Sequence, residues 1–317
     1  MKINKPIFWN NKNLISFFLI PLSIITFIIN FFKNFLSKKK FRIKTICVGN
    51  IYLGGTGKTS LTIEINNILK KSFKTIFIKK KYIDQLDEIK LLSTYGNVFS
   101  DNDRKISLIK AEKTKKFNLA ILDDGLQDKT IKYDISIACF NSSYGIGNGL
   151  LIPAGPLREN LSMLKNYSAI FLNGEKKNKR LFSILKKFNN HIFYSNYIST
   201  NIRKFNRKNK YLYFCGIGNP EEFEYTLKKY KFNIAKKFIF PDHHNFKNQE
   251  IDDIKKIGFD NRLEIITTEK DYKRLSIRNR KNTDYLKIKL KIKNKTKFIK
   301  FLKERLWKEL FIFSNLL

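Results

Sequence analysis

The residues with the most direct chemical reading lie in the string GNIYLGGTGKTS, from Gly49 to Ser60. Glycines at Gly54, Gly55 and Gly57 let backbone N–H groups converge on phosphate oxygens, and a helix starting there adds a dipole that favours anions. Lys58 is placed to reach β- and γ-phosphates, and the Thr59 hydroxyl to ligate magnesium. The strict phosphate-loop pattern has a further glycine where this chain has Tyr52. The nucleotide-binding stretch is read as Tyr52, Leu53, Gly54, Gly55, Thr56, Gly57, Lys58, Thr59 and Ser60, with ATP and Mg2+ as the implied cofactors. A second acidic signal is LDDGLQD, where the apolar run Asn118–Leu122 ends in Asp123 and Asp124. A strand that delivers a carboxylate to the edge of a parallel sheet can hold magnesium, directly or through water. An Asp-Gly turn closing a strand gives a similar string; the preceding phosphate loop favours the metal reading.

Chemistry of this kind needs a strand before the loop and a helix after it. Thr45–Val48 is a β-branched strand, and Leu61, Ile65, Ile68 and Leu69 recur at helical spacing. Further strand-like runs at Thr75–Ile78, Asn118–Leu122, Ile135–Phe140 and Ala169–Leu172 alternate with helical or loop segments, the pattern of a parallel sheet covered by helices. A second series follows a Lys/Asn-rich junction near Ile202–Lys210: YLYFCGIG from Tyr211, a helix Pro220–Tyr230, a strand Phe238–Phe240, a helix near Lys247–Ile257, and LEIITT. The expected architecture is α/β: a P-loop NTPase-like parallel sheet covered by helices, a second smaller α/β lobe, and an N-terminal membrane helix. The expected domains are an anchor segment over 1–40, a kinase core over 41–205 and a smaller lobe over 206–317. That lobe ends in a helix, Phe298–Phe313, packing on the body or the membrane.

The anchor reading rests on Leu14–Phe32, which carries no charge and approaches the ~20 apolar residues that cross a bilayer core. Ser16, Pro21, Ser23, Thr26 and Asn30 interrupt it, so a shallow interfacial helix is the alternative. No small-residue cleavage site marks a signal peptide. Lys33, Lys38, Lys39, Lys40 and Arg42 outweigh Lys2, Lys5 and Lys12 on the other flank, which puts the following domain in the cytoplasm. The net charge of +36 has its lysines scattered, and Gly and Pro are sparse, as A/T-rich coding produces. No nucleic-acid motif accompanies the charge, so no nucleic-acid partner is expected; an anionic membrane surface would attract such a protein. No protein partner is evident. Three separated cysteines, Cys47, Cys139 and Cys215, read as reduced buried thiols.

The string VGN…GGTGKT, then LDDGLQD, LLIPAGPLREN at Leu150–Asn160, FPDHHNF at Phe240–Phe246 and TTEKD at Thr267–Asp271 resembles the tetraacyldisaccharide 4'-kinase family. The motifs stand in that family's order. The resemblance implies transfer of the γ-phosphate of ATP to the 4'-hydroxyl of a tetraacyl disaccharide 1-phosphate. The product is lipid IVA, a step of lipid A biosynthesis at the cytoplasmic face of the inner membrane of a Gram-negative-type bacterium. It implies Lys58 and Thr59 for nucleotide and metal, Asp123, Asp124 and Glu88 also for metal, and Arg158, Glu159 and Arg104 at the active site. An arginine fork suits a developing phosphoryl charge. Asp87, paired with His243, is implied as the proton acceptor, with closure of the two lobes around ATP.

The chain departs from the family where Ser-Arg-Gly-Tyr reads Lys79-Lys80-Lys81-Tyr82, and where Leu86 replaces a glycine before Asp87-Glu88. Bland readings also exist: His243 and His244 could cap the following helix, and Arg158-Glu159 could be a surface pair. The rival function is a membrane-associated regulatory P-loop ATPase. Such proteins carry an extra lysine before the Gly-Gly pair, where this chain has Leu53. No Asn-Lys-x-Asp guanine signature is present.

Overall fold

The computed structural model describes residues 6–82, 85–174 and 178–314; Lys2 and Lys5 lie outside them. Two compact units emerge. Of the described residues, one comprises 6–82, 92–196 and 292–314; the other comprises 85–91 and 197–291.

In the larger unit the chain begins with α1 (Leu14–Phe18) and α2 (Ile20–Lys33). It continues through β1 (Lys44–Gly49), α3 (Lys58–Leu69) and β2 (Thr75–Lys80), then α4 (Leu86–Ser93), whose first turns belong to the other unit. After α4 come β3 (Val98–Asp101), α5 (Arg104–Lys113), β4 (Leu119–Asp123), β5 (Ile135–Asn141), β6 (Ala169–Asn173), α6 (Lys179–Lys186) and β7 (Ile192–Ser199). The smaller unit holds β8 (Lys210–Cys215), α7 (Pro220–Lys229), β9 (Asn233–Ile239), α8 (Asn248–Asp260), β10 (Glu264–Thr268), α9 (Glu269–Arg274), α10 (Ile277–Arg280) and β11 (Asp284–Leu286). The chain returns through β12 (Ile288–Ile292) to α11 (Lys295–Ser314).

The main sheet has eight strands in the order β12-β7-β6-β5-β1-β4-β2-β3, and the ladders from β7 to β3 are parallel. Successive parallel strands need crossover helices, and helices on both faces explain the unbroken apolar runs in β1, β4 and β5. Strand β1 lies at the centre, with β4 on one side and β5 on the other, so the chain reverses its direction of winding there. Ligands bind at the carboxyl ends of strands at such a switch point. Val48 is in register with Asp123, which sets the phosphate loop beside the acidic pair.

The small sheet, β11-β10-β8-β9, is parallel throughout. Its central strand β8 buries both faces. Tyr211, Tyr213 and Cys215 pack with Phe223 and Leu227 of α7, while Leu212 and Phe214 pack with Ile251 and Ile254 of α8. In the larger unit α11 lies on the body: Phe298 meets Phe171 of β6 and Phe193 of β7 edge-on, at centroid distances of 5.3 and 4.9 Å.

The amino-terminal run is not one helix. It breaks at Leu19, which ends α1 and starts α2, and Pro21 occupies the first turn of α2. Proline has no N–H to donate to the preceding turn but fits a helix start, so the chain restarts rather than continues. Among the described residues no helix is long and apolar enough to cross a membrane. The polar interruptions Ser16 and Ser23 are buried, whereas Leu14, Phe17, Phe18, Leu22, Ile25 and Phe32 are exposed, Leu14 at 76%. The helices therefore present apolar side chains outward.

Candidate active site

Two groups of functional side chains stand out, one in each unit. In the larger unit the loop after β1 is shaped by Asn50, whose Nδ2 donates to the carbonyls of Tyr52 and Gly54. Gly54 and Gly57 have φ of 141° and 79°, which only glycine adopts without strain. Lys58 opens α3, so the loop's N–H groups end at a helix N-terminus. Asn173, at the end of β6, donates to the Thr56 carbonyl. The Thr56 hydroxyl is buried and has no protein partner among the described residues. An unsatisfied buried hydroxyl inside a phosphate loop fits a polyphosphate ligand.

Behind the loop, Asp123 is fully buried and accepts from three side chains: Lys79 Nζ at 2.8 Å, Thr59 Oγ1 at 3.1 Å and Thr62 Oγ1 at 3.4 Å. Lys79 is itself 2% exposed. Asp124 stands at φ 58°, a left-handed conformation that a non-glycine residue holds only when its surroundings impose it. Its Oδ1 lies 3.4 Å from Arg158 and 3.9 Å from Lys58 Nζ, and its carbonyl accepts from Arg104. Burial raises the Asp124 carboxyl, but the charges of Lys58, Arg158, Lys79 and Arg104 outweigh it and hold the group below the usual carboxylate range.

The segment from Leu150 to Arg158 is stitched to the phosphate loop by backbone bonds: Leu53 N to Pro156 O at 2.8 Å, and Arg158 N to Ile51 O at 2.7 Å. The Arg158 guanidinium donates to Asn50 Oδ1 and Gln127 Oε1, each at 3.1 Å, and Gln127 Nε2 donates back to the Asn50 carbonyl at 2.6 Å. Asn50, Gln127, Asp124 and Arg158 thus form one knot, which accounts for the Gln in LDDGLQD. Glu159 turns away from that knot. It is 1% exposed and accepts from Lys129 at 2.9 Å and Tyr167 at 2.6 Å.

Thr59, Asp123 and Asp124 offer the hard oxygen donors that magnesium takes, and a phosphate-loop metal needs only one or two carboxylates beside substrate phosphates. Among the described residues no three His, Cys, Asp or Glu gather into a metal cage supplied by protein alone.

The second group lies in the smaller unit. Asp87 and Glu88 occupy the first turn of α4. Asp87 Oδ1 is 3.1 Å from His243 Nδ1, and Asp87 Oδ2 accepts from Arg274 at 2.7 and 3.1 Å. Lys270 Nζ reaches Glu88 at 3.0 Å and His243 Nε2 at 3.3 Å. His243 has φ 57°, held by its N–H on the Gly216 carbonyl. Burial raises the Asp87 carboxyl, yet His243, Lys270 and Arg274 together overcome it and hold Asp87 well below the usual range. Burial opposes the charge on Lys270, but Glu88, Asp242 and Asp87 keep it raised.

The motif FPDHHNF divides its labour. His243 joins the acidic pair, while His244 stacks on Phe240 and meets Glu250 at 2.9 Å, near the start of α8. TTEKD gains a structural meaning too. Thr268 caps α9 through Asp271 N, and Asp271 accepts from Arg274 NH1 at 2.8 Å and from Gly216 N at 3.1 Å. Burial pushes the Asp271 carboxyl up. Lys79, Gln127, Lys270 and Arg274 were not among the expected site residues. Lys270 lies in TTEKD and Lys79 at a departure from the family pattern, but neither place carries a local chemical signal, and nothing local marks Arg274 among so many cations.

The family model for tetraacyldisaccharide-1-P 4'-kinase matches residues 15–307. A tetraacyldisaccharide 4'-kinase of Pelagibacter ubique is 46% identical over 303 residues, covering 92% of this chain and 95% of that protein. One of Rickettsia bellii is 34% identical over 291 residues, covering 86% and 89%. Among solved structures, the "apo" form LpxK from Aquifex aeolicus, crystallised in complex with ATP, superimposes with a TM-score of 0.70 at 22% identity. It covers 92% of this chain and 99% of its own, a likeness of fold.

Proposed function

We propose a division of labour for a chain that belongs to the tetraacyldisaccharide 4'-kinase family, and so acts as an ATP-dependent phosphotransferase of lipid A biosynthesis. Its reaction carries the γ-phosphate of ATP to the 4'-hydroxyl of a tetraacyl disaccharide 1-phosphate, giving lipid IVA. The observation that best supports the site assignment is the convergence of Lys58 and Arg158 on Asp124 beside the phosphate loop. In this reading Gly54–Thr59 bind the triphosphate, and the Thr56 hydroxyl finds its partner there. Lys58 and Arg158 stabilise charge on the transferring group, and Arg104 fixes Asp124 through its backbone. Thr59, Asp123 and Asp124 would hold Mg2+, which neutralises phosphate charge when bound. Glu159 positions Arg158 by anchoring the next residue in the chain to Lys129 and Tyr167.

Asp87, paired with His243, accepts the proton of the sugar hydroxyl. Glu88 supports that pair through Lys270. A second reading is favoured by one observation: both Asp87 oxygens are engaged, Oδ1 by His243 and Oδ2 by Arg274. His243 Nε2 would then take the proton, giving up its 3.3 Å contact with Lys270 Nζ, while Asp87 fixes the ring through Nδ1.

The outward apolar faces of α1 and α2 suit an interfacial helix pair lying on the membrane surface, with the basic chain drawn to anionic lipid. This supports a location at the cytoplasmic face of the inner membrane, where ATP and the lipid substrate meet. Lys58→Ala tests the catalytic reading. A folded variant should lose lipid phosphorylation by ~10³-fold or more, in line with removal of a charge-stabilising group. Turnover like that of the unaltered protein would defeat it.

A further inference from the structure

The polar residues of the amino-terminal run share one destination. Asn148 Nδ2 donates to Ser16 Oγ at 3.1 Å. Ser23 Oγ donates to Leu151 O at 2.9 Å and accepts from Ala154 N at 3.1 Å. Thr26 Oγ1 donates to Ile152 O at 2.7 Å, and Asn30 Nδ2 donates to Arg158 O at 2.7 Å. Ser23, Thr26 and Asn30 follow each other at spacings of three and four, so they form one helical face. That face runs along the Leu151–Arg158 segment from end to end.

The last of these bonds falls on Arg158. The Arg158 backbone is held from two sides: its N–H donates to Ile51 in the phosphate loop, and its carbonyl accepts from Asn30. Between those two fixings its side chain reaches Asn50, Gln127 and Asp124. A bidentate guanidinium can stabilise a phosphoryl group only within a narrow range of positions, and a misplacement of ~1 Å costs on the order of 10²-fold in rate.

We propose that Asn30, backed by Thr26 and Ser23, is a positioning residue for phosphoryl transfer, and that α2 fixes Arg158 toward the nucleotide while its opposite face is apolar. The inference rests on the reading of Arg158 as a charge-stabilising residue. The polar interruptions of the hydrophobic run thereby have a positioning role separate from membrane attachment.

The test uses the full chain and substrate dispersed in detergent micelles, so that attachment to a bilayer is not required. Asn30→Leu keeps the side-chain size and removes the donor. It should lower kcat ~10–100-fold, leave KM for ATP within about threefold, and leave sedimentation with anionic vesicles unchanged. Asn30→Gln, which keeps a donor, should recover part of the rate. A cycle with Arg158→Ala supplies the decisive comparison. If Asn30 acts through Arg158, adding Asn30→Leu to Arg158→Ala should cost less than twofold more. Equal, multiplicative losses in both backgrounds would overturn the proposal, as would an unchanged kcat in Asn30→Leu. If Asn30→Leu does not fold, Thr26→Val replaces it under the same criteria, with a smaller expected loss. A normal kcat in Arg158→Ala alone would instead remove the underlying reading.

Discussion

Lys79 Nζ sits 2.8 Å from Asp123 Oδ2, with both side chains almost wholly shielded from solvent. The family pattern that the chain resembles has serine where this lysine stands. Asp123 thus carries a built-in cation alongside the hydroxyls of Thr59 and Thr62. A buried pair contributes little over an apolar replacement of both partners, but removing one partner strands a charge and costs about 3–5 kcal/mol. Lys79→Met should therefore lower unfolding free energy by that amount in a denaturant titration. Magnesium should recover part of the loss, because it supplies Asp123 with a replacement counter-ion. A change below ~1 kcal/mol would show that the pair is not the dominant partner of Asp123.

The pH dependence of turnover separates the two candidate proton acceptors. Asp87 is held well below the usual carboxylate range by His243, Lys270 and Arg274, against the opposing effect of burial. A group with a lowered pKa stays deprotonated as pH falls through neutrality. If Asp87 is the acceptor, kcat should show no acid limb above pH ~4. An acid limb that vanishes in His243→Ala would move the role to the imidazole. Asp87→Asn should cost ~10²–10⁴-fold in kcat under either assignment, and the double variant with His243→Ala should be little worse than the poorer single.

Glu159 is predicted to act through position alone. Its carboxylate bonds Lys129 and Tyr167, away from the nucleotide loop. Lys129→Met should leave Glu159 buried without a counter-ion, at a cost of about 3–5 kcal/mol. Its effect on kcat should track Glu159→Gln, with KM for ATP steady. A selective rise in KM for ATP in either variant would place Glu159 on the nucleotide instead.

The proposed membrane attachment rests on the exposed apolar side chains of α1 and α2. Replacing Phe17, Phe18 and Phe32 by Ser removes exposed apolar surface without touching the polar face. It should shift the protein from the vesicle pellet to the supernatant, while activity on detergent-dispersed lipid stays within a few-fold. Full sedimentation of the triple variant would assign attachment to the basic surface or to another segment.

The geometry of the candidate phosphate loop is legible in sequence because its information is local. Glycine spacing, the strand before it and the helix after it all fall within Lys44–Leu69. The acidic pair was legible for the same reason. What local pattern could not reveal was pairing at a distance: Arg274 meets Asp87 across 187 residues of chain, and Lys79 meets Asp123 across 44. The short strands β3 and β11 carry too few residues for periodicity to register, and in β12 lysines alternate with the apolar positions. The hydrophobic run misled in a different way. A hydropathy window registers the lack of charge in Leu14–Phe32, but not that Ser23, Thr26 and Asn30 share a face or that Pro21 restarts the helix.

As a member of the tetraacyldisaccharide 4'-kinase family, this chain moves phosphate from ATP to a glycolipid hydroxyl. The direct measurement incubates purified protein with γ-labelled ATP, magnesium and a tetraacyl disaccharide 1-phosphate, then resolves the lipids and locates the label. The expected product is a bisphosphorylated lipid labelled at the 4'-position, formed in proportion to enzyme and absent with Lys58→Ala. Hydrolysis of ATP at the same rate with and without the lipid, and no labelled lipid, would contradict it and return the chain to the class of regulatory ATPases.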